Sequence, residues 1–477
     1  MARARGVSQI VTYGLPPGSR GPFAIISSPY SATSRVFALV AFAALLASTM
    51  MLNAYRTGGF PIRGLAAAGV LLLTAVFFFD EARQALRRNL PVLALAAGLA
   101  VLGTFVSIVN GTSANAILQS LTETHVQAAI MIVVAAVLAQ VAGARACVFA
   151  IVAVIGISAC VALAQMMDVA PAWSLRRALG PLPAEATEGL ELLERRPTGL
   201  SFSAIQLSTQ LCLAFAAFVA VRDKVRSQTD ASRAADPAVI LALLAFFAAS
   251  IVVATRSPIL GGFVFLAIYS LQRRTSWLPL VLILTAVLLY MAWPLLIGVI
   301  ESNAPRVTRT DDNSAAARLT LIYYGWRLFA DNPLGYGFSF APMTLWTSYW
   351  PDLYMMPAPR GARENELHNY LATMLNIYGI GILLLAPLLA KVLRQARASL
   401  IFFLPYVVQI LFHNSGPFYN DNVIWFVIAA IAAAGYGSEA RFDPQLGSAG
   451  QRGRGNLQRL HPRHMPPVRH FRALRLP

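Results

Sequence analysis

Charge is what this chain has least of. Only 12% of its 477 residues are Asp, Glu, Lys or Arg, against 57% hydrophobic residues. A soluble domain needs far more polar surface than this to cover its core, so a water-soluble enzyme is excluded. Cysteine is also scarce. Cys147, Cys160 and Cys212 all fall inside apolar runs, read as small buried hydrophobes, and give neither a disulfide framework nor metal-ligand spacing. Missing too is the alternation of apolar and polar residues over ten-residue segments that marks a membrane β-barrel. No internal repeat is visible, and the apolar runs are nearly free of charge. A transporter or lipid-linked glycan flippase, the alternative from another class, would more often show matching halves and ionisable groups near the bilayer midplane.

What fills the chain is apolar runs long enough to cross a membrane, for which roughly 20 residues span about 30 Å of hydrocarbon. The predicted spans are Val36–Asn53, Gly64–Phe79, Leu90–Val109, Val126–Ala142, Ala146–Met167, Ser201–Val221, Ala238–Ala254, Pro258–Leu271, Trp277–Ile300, Tyr370–Ala390, Ser399–Phe412 and Val423–Gly437. Pro258–Leu271 and Ser399–Phe412 are short, and must stand upright, borrow flanking residues or meet a thinned bilayer. The expected fold is therefore all-α, a polytopic membrane protein of about 12 transmembrane helices with one long extracytoplasmic loop. Residues 1–35 form a polar tail, longer than a signal-peptide n-region, so the first span is read as retained. Residues 36–437 form the membrane domain, and 438–477 a basic, disordered tail.

Counting basic residues orients the spans. Roughly two-thirds of the 38 lysines and arginines lie on one side, in both tails and in the loops around Arg83, Arg145, Arg222, Arg273 and Lys391. That side is the cytoplasm, so both termini are expected there. The net charge of +17 reflects this asymmetry and not a nucleic-acid partner. Residues 451–477 can alternatively meet anionic lipid headgroups. On the opposite, extracytoplasmic side two segments stand out by length, 168–200 and 301–369, and function is sought there.

Three residues on that side carry chemistry. A helix expected over Asp311–Pro333 has Leu319, Ile322, Tyr323, Trp326 and Phe329 as an apolar stripe to pack on the spans, with Arg318 projecting from its first turn. Further on, His368 sits where a polar stretch enters the span Tyr370–Ala390. Arg256 occupies a tight hairpin, where a planar cationic fork suits a phosphate oxyanion. Each has a plainer reading: a snorkelling arginine, a hydrogen-bonded interfacial histidine, a helix-end carbonyl partner. Together, on one face, they match what is needed to hold a pyrophosphate leaving group beside an attacking hydroxyl. Arg196, Asn369, Asn414 and Asp421 are secondary candidates for substrate binding. Trp346, Tyr349, Trp350 and Tyr354 can stack on sugars or anchor at the interface.

Four segments, RRPTGLSFSAIQLSTQL (Arg195–Leu211), VVATRSPILGG (Val252–Gly262), ARLTLIYYGWRLFADNPLGYGFSF (Ala317–Phe340) and LHNYLATMLNIYGIGILLL (Leu367–Leu385), resemble in order and spacing the O-antigen ligase and polysaccharide polymerase superfamily. These are bacterial membrane glycosyltransferases that use undecaprenyl-pyrophosphate-linked glycans. The resemblance implies metal-independent transfer, without a cofactor, of a glycan from that donor to a glycolipid or glycan acceptor such as lipid A-core. Arg256 and Arg318 would bind the pyrophosphate, and His368 would lie beside the acceptor hydroxyl as general base or positioning group. A polymerase would run the same chemistry on a second lipid-linked repeat. The chain departs from the family pattern at Pro258, directly after Arg256-Ser257, which puts the geometry of that hairpin in question.

Overall fold

The computed structural model describes residues 30–52, 55–57, 60–180, 196–227, 236–273, 313–363 and 366–439. The predicted span Trp277–Ile300, residues 1–29 and 440–477 of the two terminal tails, and residues 181–195 and 301–312 of the long loops lie outside them. Through Gly435 the chain is one compact unit. Tyr436 onward is a second unit, whose described part only extends the last helix.

Helix α1 (Ala32–Met51) starts at Ser31, whose hydroxyl accepts from Ser34 N–H at 3.1 Å and so satisfies one otherwise orphaned donor. A short antiparallel pair, β1 (Arg56–Thr57) and β2 (Phe60–Pro61), leads into α2 (Ile62–Phe77). Helix α3 (Phe79–Arg88) turns from α2 by 116°. Asp80 and Glu81 in its first turn and Arg87 and Arg88 in its last complement the helix dipole. Next come α4 (Leu90–Val109) and α5 (Ala114–Ser120), which passes through a π turn at Leu121–Val126 into α6 (Gln127–Ala142). Helix α6 is buried on almost every face and is the axis of the core, as an all-round apolar helix should be. Gly143 alone, at φ +91°, separates it from α7 (Ala144–Met166). The short α8 (Ala170–Ala178) precedes α9 (Ala204–Ser227), α10 (Pro237–Val252) and α11 (Ser257–Arg273).

After the undescribed stretch come α12 (Asn313–Asp331), α13 (Pro342–Leu353) and α14 (Pro359–Arg363). Tyr370–Leu411 is then helical throughout: α15 (Tyr370–Tyr378), α16 (Ala386–Ala396) and α17 (Leu404–Leu411), joined by 3-10 segments Gly379–Leu385 and Arg397–Phe403. A straight helix of that length would reach about 60 Å. Its ends nevertheless meet, because Asn369 Nδ2 donates to the Leu411 carbonyl at 3.0 Å. The run is therefore a hairpin of two legs, as the separate predictions Tyr370–Ala390 and Ser399–Phe412 expect. Two short parallel strands, β3 (Gly416–Pro417) and β4 (Asn420–Asp421), lead to α18 (Val423–Glu439).

Among the described residues, six helices are long and apolar enough to cross a membrane, or seven if the bent pair α2 and α3 is one span. Pro237–Val252, Ser257–Gln272 and Val423–Ala434 are shorter apolar helices. Every predicted span within the described residues overlaps a helix. Leu72, Val76, Val101, Phe105 and Phe149 remain exposed, as they must on a multi-pass protein whose outer faces meet lipid. Polar contacts gather the segments at two ends. At one, Asn110 donates to Gly335 O (3.0 Å), Thr112 meets Ser339 (2.8 Å) and Arg196 reaches Ala254 O (3.5 Å). At the other, Gln140 donates to Gln84 and Arg222 to Asp236 (2.7 Å each), and Lys224 to Ile431 O (2.8 Å).

One expectation is corrected. Helix α12 forms where predicted, but Leu319, Tyr323 and Trp326 stay exposed, and the buried face is Ala317, Leu321, Tyr324 and Leu328. The helix is apolar nearly all round, so hydropathy cannot choose its inner face. Shape does: Gly325 lets Leu367 and Ala372 approach to contact distance. Trp346, expected at a sugar or interface position, is in this same core, edge-on to Tyr324 at 4.9 Å.

Gly379 opens the bend in the first hairpin leg at φ +62°, ψ −165°, a region only glycine tolerates, and an added Cβ would lie 2.2 Å from the Leu334 carbonyl. Gly379→Ala should therefore cost about 1–3 kcal/mol or more. A lower melting temperature in detergent, with unchanged helical content, is the expected result.

Candidate functional site

The site is built from four short segments at one end of the bundle. The first, residues 196–203, is tied down before it reaches α9. Gln165 Oε1 accepts from Thr198 N–H and Gly199 N–H (2.9 and 2.8 Å), and Leu200 N–H donates to Ser158 Oγ at 3.0 Å. The buried Arg176 donates to Ser201 O, Gly180 O and Phe202 O. Gly199, at φ +58°, lies so close to Ser158 that a Cβ would collide with its carbonyl. Arg196 is thereby placed with Nη2 donating to Ala254 O at 3.5 Å.

Ala254 belongs to the second segment, the turn between α10 and α11. It takes a left-handed φ of +52°, which reverses the chain within four residues. Arg256 gives its carbonyl to Leu260 N–H at 3.1 Å and so starts α11, and Pro258 stands at the second helical position, where its missing N–H breaks no bond. The departure at Pro258 is thus compatible with a tight hairpin.

Ser257, next to Arg256, connects to the other segments. Its Oγ donates to Gln409 Oε1 at 2.6 Å and lies 3.1 Å from His413 Nε2. Gln409 Nε2 in turn reaches Ser208 Oγ (2.7 Å) and Thr209 Oγ1 (3.4 Å). His413 follows α17 and is 2% exposed. Its imidazole is held well below the usual range, first by burial and then by the charges of Arg318, His368 and Arg196, all of which disfavour a further cation. The His368 ring is 6.1 Å from it, centre to centre.

His368 Nδ1 donates to Glu366 O at 2.8 Å, since a carbonyl can only accept. The Glu366 carboxylate accepts from Asn414 Nδ2. The next residue, Asn369, caps α15 by accepting from Ala372 N–H at 2.9 Å while its amide holds Leu411.

The charges of Arg318, His368 and Arg196 thus all act on one group, His413, with the His368 ring beside it and Arg256 adjacent in the chain to the serine that touches it. Asn414 lies in the same cluster through Glu366. Asn369 supports it from the helix end. Asp421 is elsewhere: its carboxylate accepts from Tyr406 Oη (2.8 Å) and Val423 N–H (3.1 Å) and lines a polar cavity of about 20 Å³ with Thr49, Arg63, Thr209 and Gln210, room for a water. Among the described residues no three His, Cys, Asp or Glu side chains come together as a metal site.

Sequence reasoning passed over His413, Ser257, Gln409 and Glu366. A signal for His413 was present: the hairpin carries a His-Asn pair at each end, His368-Asn369 and His413-Asn414.

Residues 237–386 match the family model described as O-antigen ligase. The match begins at the first residue of α10 and ends at the first of α16. It contains Arg256, Ser257, Arg318 and His368, while Arg196 and His413 flank it. No curated protein matches the chain.

Burial raises the Asp421 carboxyl from 3.8 to about 6. With a folded value above the unfolded one, the group costs nothing below pH 4 and progressively destabilises the fold as pH rises through 6, by at most about 3 kcal/mol. Asp421→Asn should remove that component, so that its melting temperature falls less than that of the wild type between pH 4.5 and 7. A variant with the wild-type pH slope would contradict the assignment.

Proposed function

We propose, from the match of residues 237–386 to the O-antigen ligase family model, that the chain is a membrane glycosyltransferase of that superfamily. It moves a glycan from an undecaprenyl-pyrophosphate donor to a hydroxyl of lipid A-core or of a growing surface polysaccharide. The observation that carries this reading is the convergence of Arg196, Arg318 and His368 on a buried imidazole beside the hairpin that bears Arg256.

In this scheme the acceptor oxygen attacks the anomeric carbon, the bond from that carbon to the diphosphate oxygen breaks, and the bonding pair leaves with undecaprenyl pyrophosphate, with inversion at carbon. Arg256, Arg318 and Arg196 neutralise the charge that grows on the leaving diphosphate, each guanidinium able to offer two parallel donors to phosphate oxygens. His368, with Nδ1–H committed to Glu366 O, presents its Nε2 side to the acceptor hydroxyl as general base or positioning group. Asn414 and Glu366 steady the loop on which this histidine sits. Asn369 and Asp421, whose polar atoms serve helix ends, belong to the scaffold in this reading. The exposed Leu319, Tyr323 and Trp326 of α12 face lipid, along which a polyprenyl chain can lie.

The site is assigned to the periplasmic face of the inner membrane, with both termini cytoplasmic, because its segments lie on the side that holds the smaller share of the chain's 38 lysines and arginines. A polymerase uses the same chemistry on another lipid-linked repeat, and the acceptor alone separates the two.

Arg256→Ala, Arg318→Ala and His368→Ala are each expected to reduce transfer by at least about 100-fold while membrane levels of the protein stay normal. EDTA should leave transfer unchanged. Full activity in all three variants would remove the proposal. Supplying the purified protein with lipid A-core or with a second lipid-linked repeat then distinguishes ligase from polymerase.

A further inference from the structure

The hydrogen-bond chain behind His413 has a direction that can be read from one end. Ser208 Oγ and Thr209 Oγ1 both donate to the Ile205 carbonyl (2.8 and 3.0 Å), which can only accept. With those protons committed, both hydroxyls can only accept from Gln409, which fixes its nitrogen toward them and its oxygen toward Ser257. Ser257 must then donate to Gln409 Oε1, and its own oxygen accepts from His413 Nε2–H. His413 is accordingly the Nε2–H tautomer, with its Nδ1 lone pair left over. That nitrogen is buried and has no hydrogen-bond partner among the described residues, an arrangement that a folded protein seldom leaves without a use.

We infer that His413 is a proton-linked ligand of the diphosphate: neutral while the site is empty, it takes up a proton on Nδ1 when a diphosphate binds and donates that N–H to a phosphate oxygen. The inference rests on the diphosphate-donor reading above. The groups that hold it neutral are also those that would meet the substrate. Arg318 comes from α12, His368 from the segment before α15 and Arg196 from the segment before α9; Arg256, which is not one of them, lies in the turn that carries Ser257. Glu366 is engaged by Asn414, the neighbour of His413. Two negative charges placed among these cations remove the penalty on another positive charge, and the imidazolium then donates from both nitrogens, Nε2 to Ser257 and Nδ1 to the ligand. By linkage, whatever raises the proton affinity of His413 on binding also makes binding tighter as pH falls.

The test is calorimetric binding of farnesyl-diphospho-N-acetylglucosamine to the purified full-length protein in detergent. Both phosphates of this probe are diesters and do not titrate near neutrality. Binding heats are measured in two buffers of different ionisation enthalpy at pH 6, 7 and 8. Proton uptake on binding, growing toward pH 6, is expected for the wild type. His413→Gln, which can still donate to Ser257, should bind about tenfold more weakly and lose the uptake, whereas His368→Asn should keep it. Binding without uptake in the wild type overturns the inference and leaves the donor reading intact. Uptake that persists in His413→Gln, or vanishes in His368→Asn, overturns it as well. A wild-type protein that does not bind the probe overturns the donor reading and this inference with it. Because the wild-type measurement decides by itself, the question remains answerable if His413→Gln does not fold.

Discussion

One fully buried amide, Gln409, connects three helices. It takes Ser257 from α11 on its oxygen and serves Ser208 and Thr209 of α9 with its nitrogen, while its own backbone belongs to α17. In a body whose outer faces meet hydrocarbon, such a group has no water to fall back on, so its partners must be supplied by the neighbouring helices. The requirement works in both directions. Three helices are held in register by the need to satisfy one amide, and the imidazole at the end of the chain inherits a defined tautomer from a backbone carbonyl four hydrogen bonds away.

The rest of the site follows from how its short segments are fastened. The loop bearing Arg196 is clamped by Gln165, Ser158 and Arg176. The turn bearing Arg256 is set by a left-handed Ala254 and a helix that starts at once. The two histidines stand at the two ends of a hairpin closed by Asn369 and Leu411. Among these fastenings Arg176 is the cationic one, and its guanidinium is spent on the carbonyls of Ser201, Gly180 and Phe202.

Much of this was legible in the sequence, and the physical reason is plain for each part. Helices that lie in lipid must be apolar along their length, so their positions show as runs, and the two legs of Tyr370–Leu411 could be separated by the charges around Lys391. The order of Arg256, Arg318 and His368 was readable because charge is so rare in this chain. The inner face of α12 was not, because nearly every side chain there is apolar and a glycine decides the approach. His413 was not recognised because its surroundings come from residues as far off as Ser257 and Arg196, and no local pattern reports a contact across that much chain. Asp421 is conspicuous in the sequence as a carboxylate in an apolar neighbourhood, and its oxygens accept from Tyr406 and from the start of α18.

The closure of the hairpin by a single side-chain amide sets how the two kinds of charged group can move. His368 and His413 stand on adjoining ends of one element, so tilting or sliding that element carries both rings together and leaves the spacing between them nearly constant. The guanidinium groups of Arg196, Arg256 and Arg318 ride on three other pieces of chain. Any change in the separation between the imidazoles and the guanidinium groups therefore requires the hairpin and those other pieces to move relative to one another, while the two rings keep their mutual distance.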